Sequence, residues 1–81
     1  MKLVIMSPFT KKKFDVAWIE LNTPVGNFII QPGHAPTLLA LSPHKEIIFC
    51  LSSGKQESYV IKQGIIDITR TGATLLLNEE L

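Results

Sequence analysis

Histidine, cysteine and paired carboxylates carry much of protein chemistry, and this chain of 81 residues has few of the first two: His34, His44 and Cys50. The histidines fall in different predicted turns, and neither belongs to an HxxxH or CxxC pattern, so their spacing outlines no metal site. Spacing alone leaves a Ser/His/Asp arrangement open, but no Gly-x-Ser-x-Gly elbow marks a nucleophile. Asp15, Glu20, Glu46, Glu57, Asp67, Glu79 and Glu80 mostly alternate with apolar residues or lie near the termini. That is the pattern of solvated strand faces, and no acid/base pair stands out. No Gly-x-x-x-x-Gly-Lys loop is present to cradle a nucleotide phosphate. The few aromatics make no stacking platform with interleaved basic residues. These residues predict a non-enzymatic module that needs no cofactor and no metal.

The elements that position these side chains read as strands. "KLVIMS" is a short apolar run; "FDVAWIELN" alternates Phe14, Val16 and Trp18 against Asp15, Ala17 and Ile19 and continues to Leu21. "NFIIQ", "TLLAL", "EIIFCLS", "ESYVIKQ", "IIDITR" and "ATLLLNE" follow, with turn residues at Ser52-Ser53-Gly54-Lys55 and Arg70-Thr71-Gly72. No stretch of a dozen residues keeps a helical stripe free of proline or glycine, and "HAPTLLALSP" is too short and is closed by prolines. About eight short strands predict an all-β fold, a small β-sandwich of two mainly antiparallel sheets packed face to face, in a single domain over residues 1–81.

Composition narrows the partners. Hydrophobic residues make up 46% and charged residues 19%, which is globular composition. A chain this short buries only about 60–65% of its unfolded surface. Its stability is on the order of 4–12 kcal/mol, a thin margin for a strained active site. The net charge of +1 lacks the basic excess of nucleic-acid binding. Lys11-Lys12-Lys13 reads as a solvated turn between strands, being short of a polybasic membrane patch. Cys50 has no second cysteine to pair with and reads as a buried strand thiol. "MKLVIMSP" is too short for a signal peptide, and no run approaches a membrane span. The expectation is a soluble chain, monomeric on its own, that meets a membrane only through partners.

One block remains: Gln31-Pro32-Gly33-His34-Ala35-Pro36, set between two apolar runs. Proline fixes φ at the second position of a turn and glycine takes positive φ at the third, the chemistry of a type II turn. Pro36 biases Ala35 towards an extended conformation. In this setting His34 reads as a turn residue with a backbone hydrogen bond rather than as a catalyst, since no orienting partner is evident.

At this block, over Gly26-Asn27-Phe28-Ile29-Ile30-Gln31-Pro32-Gly33-His34-Ala35-Pro36-Thr37-Leu38-Leu39-Ala40-Leu41, the chain resembles the epsilon subunit of F-type ATP synthases, in its N-terminal β-sandwich domain. Leu3-Val4-Ile5-Met6-Ser7-Pro8 looks like that family's opening strand, Gly54 like its hairpin glycine, Gly64 like its glycine before the next strand, and Ala73 to Glu79 like its last sandwich strand. The chain departs from the family pattern at Phe14-Asp15-Val16, which lacks a Gly-Glu step, at Ile29, where glycine is common, and at Leu21-Asn22-Thr23-Pro24. The resemblance implies a non-catalytic central-stalk subunit that couples c-ring rotation to ATP synthesis through gamma. It implies gamma and the c ring as partners, and a peripheral place on the cytoplasmic side of the coupling membrane. It also implies a c-ring-facing segment of Gly26, Asn27, Phe28, Pro32, Gly33, His34 and Pro36. The alternatives are a free-standing sandwich module with an unrelated ligand and, last, a small hydrolase using His34.

Members of that family usually continue into a C-terminal helical hairpin that inhibits ATP hydrolysis and, in some, binds ATP. Here the sequence stops where the sandwich is expected to end, as a naturally short form or a shortened one. Asn78-Glu79-Glu80-Leu81 is barely one helical turn, and isolated helices below about 12–15 residues are marginal in water. The chain as given is therefore expected neither to bind ATP nor to inhibit hydrolysis. Calorimetric titration with ATP should give no binding heat; micromolar binding would show a nucleotide site in the sandwich itself.

Overall fold

The computed structural model describes residues 1–80, and its ordered elements are all strands. They are β1 (Lys2–Met6), β2 (Lys11–Thr23), β3 (Gly26–Ile30), β4 (Thr37–Ala40), β5 (Lys45–Leu51), β6 (Gln56–Ile61), β7 (Gly64–Ile68) and β8 (Gly72–Leu77). No helix among the described residues is long and apolar enough to cross a membrane.

The expected all-β fold is present, as one curled hydrogen-bonded path, β4-β7-β8-β1-β2-β5-β6, with β3 also on β2. Every pairing is antiparallel except β1 with β8. The two layers of the sandwich share β2. Its first part, Lys11 to Asp15, pairs with β1, and its later part pairs with β3 and β5. Between them the register against β5 shifts: Val16 faces Leu51 and Trp18 faces Cys50, so Ala17 has no partner on β5. This is a β-bulge, the device by which a strand bends from one sheet into another.

The bulge corrects the simple alternation expected for β2. Val16 is buried, but the core positions after it are Ile19 and Leu21, and Trp18 is only half-buried beside Cys50. An extra residue shifts the side-chain phase by one, and no period-2 count across positions 14–21 anticipates that. The lysine run is likewise not a turn. It is the start of β2, registered with Ile5 and its neighbours on β1. Cys50 is half-buried rather than buried.

Alternate residues of the two layers meet in one core: Leu3, Ile5, Ile66, Ile68, Ala73 and Leu75 from one, and Ile19, Leu21, Ile30, Ile47, Phe49 and Ile61 from the other. Phe49 is fully buried and packs on Phe14 at 4.8 Å between ring centroids and on Tyr59 at 6.0 Å. Such pairs add about 0.5–1.5 kcal/mol beyond their buried area. Lys12 covers the Tyr59 ring at 5.5 Å, which closes the open margin of the core with a cation–π contact.

Gly72 shows how closely β1 and β8 approach. A Cβ built there would lie 2.5 Å from the Lys2 carbonyl oxygen, and backbone cannot yield as a side chain tip would. Gly72→Ala should therefore destabilise the fold by about 1–3 kcal/mol, as overpacking does. The check is urea denaturation, with a lowered midpoint and an unchanged m-value; an unchanged midpoint would mean the parallel pair yields freely.

Candidate functional site

The site begins at the β2–β3 hairpin. Thr23 and Gly26 face each other across a two-residue tip, Pro24-Val25. Thr23 is buried; its Oγ1 donates to the Gly26 carbonyl at 2.9 Å and accepts from the Val25 N–H at 3.3 Å. One side chain thus ties the Val25 N–H and the Gly26 carbonyl together locally. Asn27 lies on the outer face, where its Nδ2 donates to Glu20 Oε2 and Asn22 Oδ1, both at 3.3 Å. Phe28 points the other way and packs, half-buried, against the core.

Pro32-Gly33 lies at the far end of β3, four residue steps from Gly26 to Ile30 and about 13 Å along the strand. The His34 N–H donates to the Gln31 carbonyl at 3.1 Å, and Gly33 has φ +84°, so the type II turn is formed as expected. The Gly33 N–H donates to the Arg70 carbonyl at 3.1 Å, which fastens this turn to the β7–β8 connection. His34 Nδ1 lies 2.7 Å from the Ala35 carbonyl, which fits a backbone hydrogen bond rather than an orienting carboxylate. Thr37 Oγ1 donates to the same oxygen at 2.9 Å.

The seven predicted site residues therefore fall into two groups. Gly26, Asn27 and Phe28 stand at the hairpin end, and Pro32, Gly33, His34 and Pro36 at the other. What joins them is β3, which pairs with β2 alone and so is an edge strand. Val25 was not singled out by the sequence reasoning, yet it is 82% exposed at the hairpin tip. A β-branched apolar residue directly after a turn proline was the available signal, because the turn itself has no use for it.

A cleft of about 290 Å³ lies elsewhere, against Tyr59, Ile61, Lys62, Leu77 and Glu79, and neither histidine lines it. No three metal-ligating side chains converge among the described residues.

Comparison with known proteins fits a sandwich of this kind. The family described as "ATP synthase, Delta/Epsilon chain, beta-sandwich domain" matches residues 1–80. The chain belongs to that family. No curated protein matches it. Among solved structures, it resembles a chain in a cryo-EM structure of Euglena gracilis mitochondrial ATP synthase, OSCP/F1/c-ring in rotational state 1, with TM-score 0.87 and 23% identity. That match covers 98% of this chain and 51% of the other. It also resembles a chain in a cryo-EM structure of the Tetrahymena thermophila mitochondrial ATP synthase central stalk and c-ring, with TM-score 0.81 and 13% identity. There the coverage is 98% and 63%. At these identities the likeness is one of fold, and this delta/epsilon sandwich spans about half to two thirds of the length of the chains it matches.

The turn geometry carries its own expectation. A Cβ at Gly33 would meet nothing within 4 Å, so only the positive φ opposes a side chain there. Gly33→Ala should cost about 1–2 kcal/mol, the usual penalty of left-handed backbone for an L-residue. Thermal melting checks this, and an unchanged melting temperature would show that the turn relaxes out of its type II form.

Proposed function

We propose that this delta/epsilon sandwich is a non-catalytic central-stalk subunit of an F-type ATP synthase. In this role it couples rotation of the c ring to ATP synthesis through the gamma subunit, and it lies peripherally on the cytoplasmic side of the coupling membrane. The observation that carries the reading is the family match over residues 1–80, on a fold shared with chains in structures of an ATP synthase OSCP/F1/c-ring assembly and of an ATP synthase central stalk and c-ring.

The ring-facing contact is assigned to the β3 edge: Gly26, Asn27 and Phe28 at the hairpin, and Pro32, Gly33, His34 and Pro36 at the turn. β3 leaves main-chain groups unpaired along one side and contains neither lysine nor proline to blunt it, and Ile29 on it is 48% exposed. Exposed edges of this kind are normally protected or covered. Its ends are held by the Thr23 bonds and by the Gly33 bond to Arg70, so docking orders little new backbone. Transmitting torque needs that stiffness and no reactive group.

Cysteine crosslinking in the assembled, functional complex tests the assignment. Asn27→Cys and His34→Cys should each crosslink to cysteines placed in the polar loop of the c subunit. Crosslinking from position 27 alone would confine the contact to the hairpin end. Crosslinking from neither position would refute it.

A further inference from the structure

β6 is an open edge of the sandwich that the ring contact does not use. It ends the hydrogen-bonded path and pairs with β5 alone. Its six residues, Gln56–Ile61, include neither lysine nor proline, and no bulge interrupts its pairing with β5. Those are devices that blunt an edge, as is the shortness of β4, the four-residue strand at the other end of the path. Val60 on β6 is 65% exposed.

Main-chain groups point out along this edge at alternate residues. The Leu51 N–H donates to the Lys55 carbonyl and the His44 N–H to the Ile61 carbonyl, both at 2.8 Å. In an antiparallel ladder such bonding recurs at every second residue. Glu57, Tyr59 and Ile61 therefore bond towards β5, and Ser58 and Val60 turn their N–H and C=O groups outwards. Apolar surface lies beside them. Half-buried Tyr59, buried Ile61 and half-buried Leu77 line the cleft of about 290 Å³ between the end of β6 and the residues after β8. Lys62 and Glu79 pair at its rim at 3.3 Å. A free edge beside a cleft suits an added strand: main-chain bonds hold the strand, and the cleft takes its inward side chains.

We propose that the occupant is β6 of a second copy, so that two chains pair edge to edge, antiparallel about a two-fold axis at Val60. The sequence of β6 fits itself in that register. A two-fold axis normal to the joined sheet keeps both inner faces on one side, and side chains alternate, so odd residues meet odd and even meet even. With Val60 on the axis, Val60 meets Val60, Tyr59 meets Ile61, Ser58 meets Lys62 and Glu57 meets Gln63. Aromatic on β-branched is a favourable cross-strand pair, and no like charges face each other. Gln63 Oε1 accepts from Asn78, which leaves its amide N–H groups for the facing Glu57. An axis at Tyr59 would set Glu57 against Ile61, and an axis at Ile61 would set Lys62 against Val60, so one register stands out. The pairing leaves β3 untouched and does not rest on the central-stalk reading. The monomer expected from the sequence is then the dilute form of a reversible dimer.

Sedimentation velocity of the purified chain, from low micromolar to millimolar concentration, tests this. The mean mass should rise to twice that of one chain. Val60→Lys sets two ammonium groups on the axis and should weaken association about tenfold or more. Its melting should stay near that of the unaltered chain, since the position is exposed. In a Cys50→Ser background, Val60→Cys should oxidise to a covalent dimer and Ser58→Cys should not, because position 60 meets itself and position 58 does not. In the unaltered chain, the amides of Ser58 and Val60 should gain protection from hydrogen exchange as concentration rises, a reading that depends on no variant folding. A chain that stays monomeric throughout overturns the inference. So does a dimer that Val60→Lys leaves intact, or one whose new protection falls on β3 or β4, since either names another edge.

Discussion

The bulge at Ala17 is the constraint on which the sandwich depends. It lets one thirteen-residue strand serve both layers, pairing β1 through Lys11 to Asp15 and then β3 and β5. Deleting the extra residue would return the strand to strict alternation and turn Ile19 and Leu21 outward, because side chains change face with each step. Those two residues sit beside Ile30, Phe28 and Phe49, so the whole second layer takes its inward face from this one shift. The bulge is also anchored: the Val16 N–H donates to the Met1 carbonyl at 2.8 Å, and the Ser52 N–H to the Asp15 carbonyl at 2.9 Å.

A sheet curled over in this way makes a small body whose surfaces differ in character. The β3 edge is bounded by two locally bonded turns. One outer face is apolar and ends in lysines. The other carries Glu20, Asn22 and Asn27, which bond among themselves. A body that transmits force between two neighbours needs such distinct faces, one for each, on a core that does not slip between them. Nothing in that proposed task calls for a nucleophile or a metal.

Much of this was legible in the sequence. Alternating β-branched and aromatic residues between turn signals located all eight strands, and Pro32-Gly33 specified the turn that His34 closes. Three features were not legible, each for a physical reason. The bulge leaves no compositional mark, since Ala17 is ordinary in a strand. Lys11-Lys12-Lys13 has turn-like composition but is held as strand by its register with β1 and by the Tyr59 ring, both distant in sequence. An apolar row on the outer face is assembled from Ala40, Ile65, Leu76 and Met6, one residue from each of four strands, so only the register reveals it. The seven candidate contact residues read as one segment along the chain, while in space β3 holds them apart at its two ends.

The central claim is that this delta/epsilon sandwich works as a force-transmitting rotor part. The most direct measurement is cryo-EM of the membrane complex purified through a tag on this chain. The account predicts an F-type ATP synthase with the sandwich at the foot of the central stalk and its β3 edge against the c ring. A tagged chain that purifies without ATP synthase subunits, or that sits in the complex away from the rotor, would contradict it.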